Sequence, residues 1–253
     1  MKIALIRVGA DSGNLGFHSP LFEDGTFDFI PINDTFNENP KNGFKKINEK
    51  RTFSNTKVKK KNYLIDYFPA SKKEKFRNAI IHFDPEFETF TYGDPSFTKK
   101  GLSKLEKHDY LIFYSSLKKK SQETYQLYVI GFFEIHNVQI VTKLNEWKDL
   151  QNDFGKNFHV MHKNKFERDV LFEKNKGLKL VKGTRNSKLL NKAYLISKKI
   201  PFGKDKQPRF VISDEMEKIF GDFKGKICIQ RNSLRFIEDS FVDKTKDWLT
   251  KLK

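Results

Sequence analysis

IIHFDPEFETFTYGDPSFTKKGLSKLEKHDYLIFYSSLKKKSQETYQLYVIGFFEI runs from Ile80 to Ile135 and holds the clearest strand pairing in the chain. Tyr110–Tyr114 (YLIFY) and Tyr128–Phe133 (YVIGFF) are short, β-branched and aromatic. Each is bounded by charged or turn residues, so each reads as a strand. The Lys/Ser/Gln-rich stretch from Ser115 to Gln126 reads as the hairpin loop between them. Upstream, 99–107 reads as a short helix with Leu102 and Leu105 on one face. Asp84-Pro85 and Asp94-Pro95 mark turns, because a residue before proline is pushed out of helical space. Between them lie two carboxylates, two threonines and Tyr92, the densest polar set that looks placed for chemistry.

The flanks extend this α+β pattern. Ile3–Val8 is a strand that opens into a glycine-containing loop. Its Gly9-Ala10-Asp11-Ser12-Gly13 run lacks the spacing of a dinucleotide fingerprint, and no amphipathic helix follows. Asp24-Gly25 signals a two-residue hairpin, with 26–32 as its second strand. Residues 33–62 are rich in Asn, Lys and Thr without sustained period, a long surface excursion whose Lys57, Lys59, Lys60 and Lys61 form a basic cluster. Residues 71–78 suit a helix capped by Ser71 and Glu74, and 145–154 another. Asp169–Phe172 and 177–182 read as strands. Gly183-Thr184-Arg185-Asn186-Ser187 leads into a helix start at Ser187–Leu190. Lys182, Arg185 and Lys188 around that turn form a candidate anion site. Strands follow at 193–197, 209–213 and 226–230, then helices at 214–220 and 239–253. The expected fold is one composite α+β domain over residues 1–253: a bent, mixed, mainly antiparallel sheet or partial barrel with peripheral helices. An α/β three-layer arrangement is the alternative.

Of 253 residues, 37% are hydrophobic and 26 are phenylalanine, enough for a real core. Lys and Arg number 49 against 32 Asp and Glu, a formal charge of +17 that favours a polyanionic partner. A lysine-rich solvated surface would give the same balance. The single cysteine, Cys228, excludes a disulfide within the chain, and its Ile-Cys-Ile setting reads as a buried strand thiol. No apolar run reaches the ~18 residues of a membrane span, and the N-terminus turns polar too soon for a signal peptide. A cytoplasmic location is expected. His159 and His162 could share one helical face, but no third ligand follows at metal spacing, so no metal site is expected.

Several segments resemble the nucleotide modification associated domain 3 family: RVGADSGNLGFHSPLFEDGTFDFIPI from Arg7, DPEFETFTYGDP from Asp84, the HDYLIFYSSL and YVIGFFEI pair, and VKGTRNSKLLNKAYLIS from Val181. The matching residues are Arg7, Gly9, Asp11, Gly13, Asp24, Gly25, Asp84, Thr91, Tyr92, Gly93, Asp94, His162, Ser187 and Leu190. The resemblance implies a part in DNA or nucleotide modification and leaves the reaction and any cofactor open. Nothing carries over to 33–62. The strand pair is also similar, more generically, to the central hairpin of PUA-like domains such as EVE and ASCH, which bind nucleic acid.

Three functions fit these residues. In the first, an enzyme acts on a nucleobase or nucleotide, with nucleic acid (DNA above all) or a nucleotide as partner. Asp11, Asp24, Asp84 and Asp94 then serve as base, nucleophile or metal ligand. Arg7, Thr91, Tyr92, His162, Arg185 and Ser187 hold the substrate, and Lys57, Lys59, Lys60, Lys61, Lys182 and Lys188 hold the backbone. In the second, the same surface reads a modified base without catalysis. In the third, the chain is a structural partner in a modification or defence complex. Against the chemical role stands the common use of Asp before Gly or Pro to bond its own turn. Oligomeric state is open.

Overall fold

In a computed structural model, which describes residues 1–34, 51–172, 177–200, 209–225, 229 and 234–252, the two expected strands are the centre of the molecule. The strands are β1 (Ile3–Arg7), β2 (Ser19–Leu21), β3 (Ile32–Asn33), β4 (Ile81–His82), β5 (Thr91–Asp94), β6 (Tyr110–Lys119), β7 (Gln126–Val141), β8 (Leu178–Gly183), β9 (Lys188–Leu195), β10 (Ser197–Ile200), β11 (Arg209–Ile212) and β12 (Arg235–Phe236). The helices are α1 (Ala70–Phe76), α2 (Gln151–Phe154), α3 (Lys163–Leu171), α4 (Asp214–Phe220) and α5 (Val242–Lys251). An open sheet runs β12-β1-β6-β7-β8-β5, with β2 also on β6 and β9 also on β7. β1 and β2 lie parallel to β6, and the other pairs of this sheet are antiparallel. The fold is α+β with a mixed, mostly antiparallel sheet, as expected.

β6 is central because both of its faces are apolar. Tyr110, Ile112 and Tyr114 join one core cluster, with Met216, Phe220 and Leu249 of the helices α4 and α5. Leu111, Phe113 and Leu117 join the cluster on the other face, with Leu102 and Leu105. That alternation is the period-two geometry of a strand buried on both sides. β7 is long enough to serve two neighbourhoods. Its first part pairs with β6 and β9, and its end pairs with β8 after a register shift between Ile135 and Asn137. Gly131 lets the sheet close there. A Cβ on it would lie 2.6 Å from the Lys188 carbonyl oxygen and 2.7 Å from the Phe87 ring.

Several expectations change. The hairpin loop is short, since β6 extends to Lys119. Residues 26–31 form isolated bridges rather than a strand, Leu21 with Phe27 and Thr26 with Lys192. The Asp24-Gly25 turn is wider than two residues, because Phe22 N–H donates to the Thr26 carbonyl. Helix α1 begins after Pro69 and uses no side-chain cap. The 145–154 stretch divides into a 3₁₀ turn (Leu144–Trp147) and α2. Asp169 and Val170 are helical: Phe166 and Val170, four apart, bury together against β8. Ser187–Leu190 opens β9 rather than a helix, so a helix N-terminus for an anion is lacking there.

The excursion is partly core. Phe53 is fully buried and packs with Leu64, Ile65, Phe68 and Phe76 in a cluster that also takes Ala10, Leu15 and Ile30. Asp28 ties it down, accepting the Lys59 and Lys60 N–H groups and the Tyr67 hydroxyl. Residues 35–50 and Cys228, with most of the expected 226–230 strand, lie outside the described residues. No helix among the described residues is long and apolar enough to cross a membrane.

Candidate functional site

A cleft of about 150 Å³ opens where the end of β1 meets β5. It is lined by Arg7, Val8, Gly9, Asp11, Asn14 and Ile32 from the N-terminal stretch, by Tyr92–Pro95, and by His82, Asp84 and His159. Five of the expected site residues converge here: Arg7, Asp11, Asp84, Tyr92 and Asp94.

Each wall has a local reason. Asp11 ends β1 in a turn, accepting the Gly13 and Asn14 N–H groups at 2.8 and 3.0 Å. Its other oxygen lies 3.2 Å from Arg7. Turn-making and cation-holding are thus one carboxylate's work. Asp94 accepts the Ser96 N–H at 2.7 Å and the Tyr92 hydroxyl at 3.1 Å. Burial first, and then Asp94 and Asp84, push the Tyr92 hydroxyl well above its ordinary pKa, so it stays a proton donor. Thr91 is buried behind the cleft and accepts the Asn157 amide at 3.2 Å.

The back wall is a polar cluster. β4 ends at His82, and a three-residue turn follows in which the Asp84 N–H donates to the His82 carbonyl at 2.9 Å, so that both side chains line the cleft. His159 arrives from the loop before α3. His82 Nε2 and His159 Nε2 are 3.0 Å apart, and Asp84 Oδ2 lies 3.2 Å from His159 and 3.8 Å from His82. Asp84 Oδ2 also accepts the Gly93 N–H at 2.9 Å. Asp84 Oδ1 is buried with no hydrogen-bond partner among the described residues. Behind His159, Nδ1 meets Asp169 Oδ2 at 2.6 Å, and Asp169 is held in turn by Lys165 and Arg168. Burial opposes charge on His159, but Asp169 and Asp84 outweigh it and hold its pKa above the ordinary value. Burial chiefly, and the neighbouring His159 and Lys165, push His82 down. Burial alone would raise the Asp169 carboxyl; His159 and Lys165 outweigh it and keep it ionised.

The other expected residues lie elsewhere. Asp24 is in its exposed turn, accepting the Thr26 N–H at 2.9 Å, and does not line the cleft. His162 precedes α3 and is not in the cleft lining. Arg185, Ser187 and Lys188 line a different depression with Tyr110 and Glu134. There Ser187 accepts the Glu134 N–H at 3.1 Å and Lys188 donates to the Leu252 carbonyl. Lys182 donates to the carbonyls of Thr89 and Asp153. Lys61 donates to the Asp66 carbonyl, and Lys60 pairs with Asp24 at 3.7 Å. Lys57 and Lys59 line a larger groove of about 1120 Å³ with Arg51, Lys156 and the rings of Phe27, Phe29, Phe83 and Phe87.

His82, His159 and Asp169 were not expected in a site. His82 stands beside the Asp84-Pro85 turn, which is readable, whereas its pairing with His159, 77 residues away, has no local signal. The chain matches the family model over residues 2–218 and belongs to the nucleotide modification associated domain 3 family. No curated protein and no solved structure matches it.

Proposed function

We propose that this member of the nucleotide modification associated domain 3 family acts on a nucleobase of nucleic acid, DNA above all, presented to the Arg7–Asp94 cleft. The observation that carries this reading is the convergence of Arg7, Asp11, Asp84, Tyr92 and Asp94, beside two histidines, on one cleft. Its volume of about 150 Å³ is below the roughly 300–1,000 Å³ of pockets that enclose drug-sized ligands. It therefore admits one ring or group rather than a whole nucleotide. A base reaches such a site by leaving the stack or from a single strand. Phe83 lines the wider groove while its neighbours His82 and Asp84 line the cleft, so the two share a wall. That groove carries Arg51, Lys57, Lys59 and Lys156 beside the half-buried rings of Phe29, Phe83 and Phe87, the mixture of cations and stacking faces that suits a strand. Within the cleft, carboxylates accept an exocyclic amine or move a proton, and the Tyr92 hydroxyl, which donates to Asp94, orients that carboxylate.

The test has two arms. Single-stranded and duplex DNA are titrated with protein across a salt series, and affinity falls with a log–log slope of about −0.7 to −0.9 per phosphate contacted. Nucleosides from DNA of cells expressing the chain are then compared by mass spectrometry with those from cells expressing Asp94→Asn. A new nucleoside that disappears in Asp94→Asn, with DNA binding retained, is the expected result. No binding at low salt together with an unchanged nucleoside profile refutes the proposal.

A further inference from the structure

We infer that His82, Asp84 and His159 bind a divalent first-row transition-metal ion whose open coordination positions face the cleft. The three side chains each offer a ligand atom, and these atoms all lie within 4.8 Å of one another. Metal–nitrogen and metal–oxygen bonds of about 2.0–2.2 Å place neighbouring ligand atoms about 2.9–3.5 Å apart, for coordination angles between square and tetrahedral. The separations of 3.0 and 3.2 Å fall within that range, and the third, 3.8 Å, lies just beyond it. Two imidazoles and one carboxylate with free positions are the ligand set of catalytic zinc and non-haem iron centres.

Counting protons points the same way. His159 Nδ1 sits 2.6 Å from Asp169, a charge-assisted distance, so that nitrogen keeps a hydrogen, and Nε2 offers a lone pair to an ion that displaces its proton. The Asp84 oxygen and the His82 nitrogen, both electron-rich, face it. A single proton serves one of these contacts well, whereas a divalent ion meets all three lone pairs at once. Asp84 Oδ1, buried and without a partner among the described residues, is a second acceptor at the same place. Asp169 behind His159 is the carboxylate that orients a ligating imidazole and raises its basicity, and Lys165 and Arg168 hold that carboxylate in turn. Field adds to geometry. In a chain of net charge +17, the described lining of this cleft gathers three carboxylates with Arg7, while Lys165 behind His159 is paired with Asp169. It therefore draws a cation where the rest of the surface draws phosphate.

The inference deepens the proposed function and rests on that reading for the ion's use: a Lewis acid beside a base held in the cleft. Its test needs no substrate. Chelator-stripped full-length protein is titrated with Co²⁺, followed by visible absorption, and with Zn²⁺ by calorimetry. The expected result is saturable uptake of a single equivalent and a rise in Tm, both lost in His82→Ala and in Asp84→Asn. Should a variant fail to fold, the wild-type ring signals decide: Co²⁺ shifts and broadens the His82 and His159 imidazole resonances selectively. Absence of stoichiometric uptake, uptake unchanged in His82→Ala, or Co²⁺ effects on other histidines overturns the inference. Metal uptake without any modified nucleoside would sink only the proposed function. Modification that persists in chelator would sink only the metal site.

Discussion

Gly93→Ala tests whether the site is as tightly built as its distances say. A Cβ at Gly93 would lie 2.6 Å from His159 Cδ2, and 3.1 Å from both Asn157 Oδ1 and Leu180 Cδ2. Ordinary contact begins near 3.4 Å, so about 0.8 Å of movement is demanded of the strand or the ring. Neither is loose. The ring is held through Nδ1 by Asp169. β5 is held by its register with β8, Gly93 opposite Leu180, and by the Gly93 N–H bond to Asp84. Overpacking of this kind costs about 1–3 kcal/mol. At about 2–4 °C per kcal/mol for a chain of this size, Tm falls by about 2–12 °C. Because the displaced atoms belong to His159 or carry Asp84, Co²⁺ affinity falls as well. The assay is thermal unfolding in chelator, which isolates the packing cost, beside a Co²⁺ titration of the same samples. A Tm within about 1 °C of wild type together with unchanged Co²⁺ affinity would show that His159 is free to step aside, and would refute the account of a pinned ring.

Two further outcomes follow from burial. Phe53→Ala removes a fully buried ring that meets Phe68 at 4.8 Å and Phe76 at 6.3 Å between centroids. It costs about 3–5 kcal/mol by urea denaturation, and a loss under about 1 kcal/mol would return residues 51–62 to a loosely attached loop. Lys99 is buried, and that burial, only partly opposed by Asp94, lowers its pKa from 10.5 to about 8. The unfolded chain thus holds this proton up to higher pH than the folded one. Wild-type stability relative to Lys99→Met therefore rises as pH goes from 8 to 10.5, and falls back over the same window as pH is lowered to 8, below which it is flat. Denaturation at pH 7 and pH 10 should show a relative gain of about 2–3 kcal/mol. A difference that does not change with pH refutes it.

The sheet was legible because its centre is locally overdetermined. In Tyr110–Tyr114 and Tyr128–Phe133, composition, run length and bounding residues all call for strand, and both lie in it. The errors fell where a short segment carries two periods. Ser187–Leu190 has the turn chemistry of a helix start. In the sheet Leu190 packs on one face and Leu189 against the other, and pairing with β7 decides for a strand. At 169–172 the apolar run hid a helix, since the contact that matters, Phe166 with Val170, starts before the run. In 51–62, low hydrophobicity masked one anchoring phenylalanine, and it is the anchor that packs the segment.

The site divides along the same line. Arg7, Asp11, Asp84, Tyr92 and Asp94 could be singled out because turn residues cluster where strands end, and strand ends β1 and β5 meet. Asp24 carried the same turn signature, and only the fold separates it from them: its oxygens are spent on Thr26 and Lys60 at the surface. His159 carries no local signature, since its partners Asp84 and Asp169 come from a distant turn and from a helix that read as a strand. His162, three residues on, has the same identity and a similar neighbourhood in sequence, yet it sits at the start of α3, outside the cleft. The difference between the two histidines is Asp169. Asp169 holds His159 through Nδ1 and is itself paired with Lys165 and Arg168. Breaking such a set by removing one partner leaves an uncompensated buried charge, which costs about 3–5 kcal/mol. The mutual pairing is what lets so polar a cluster lie against the Leu178–Leu180 end of β8.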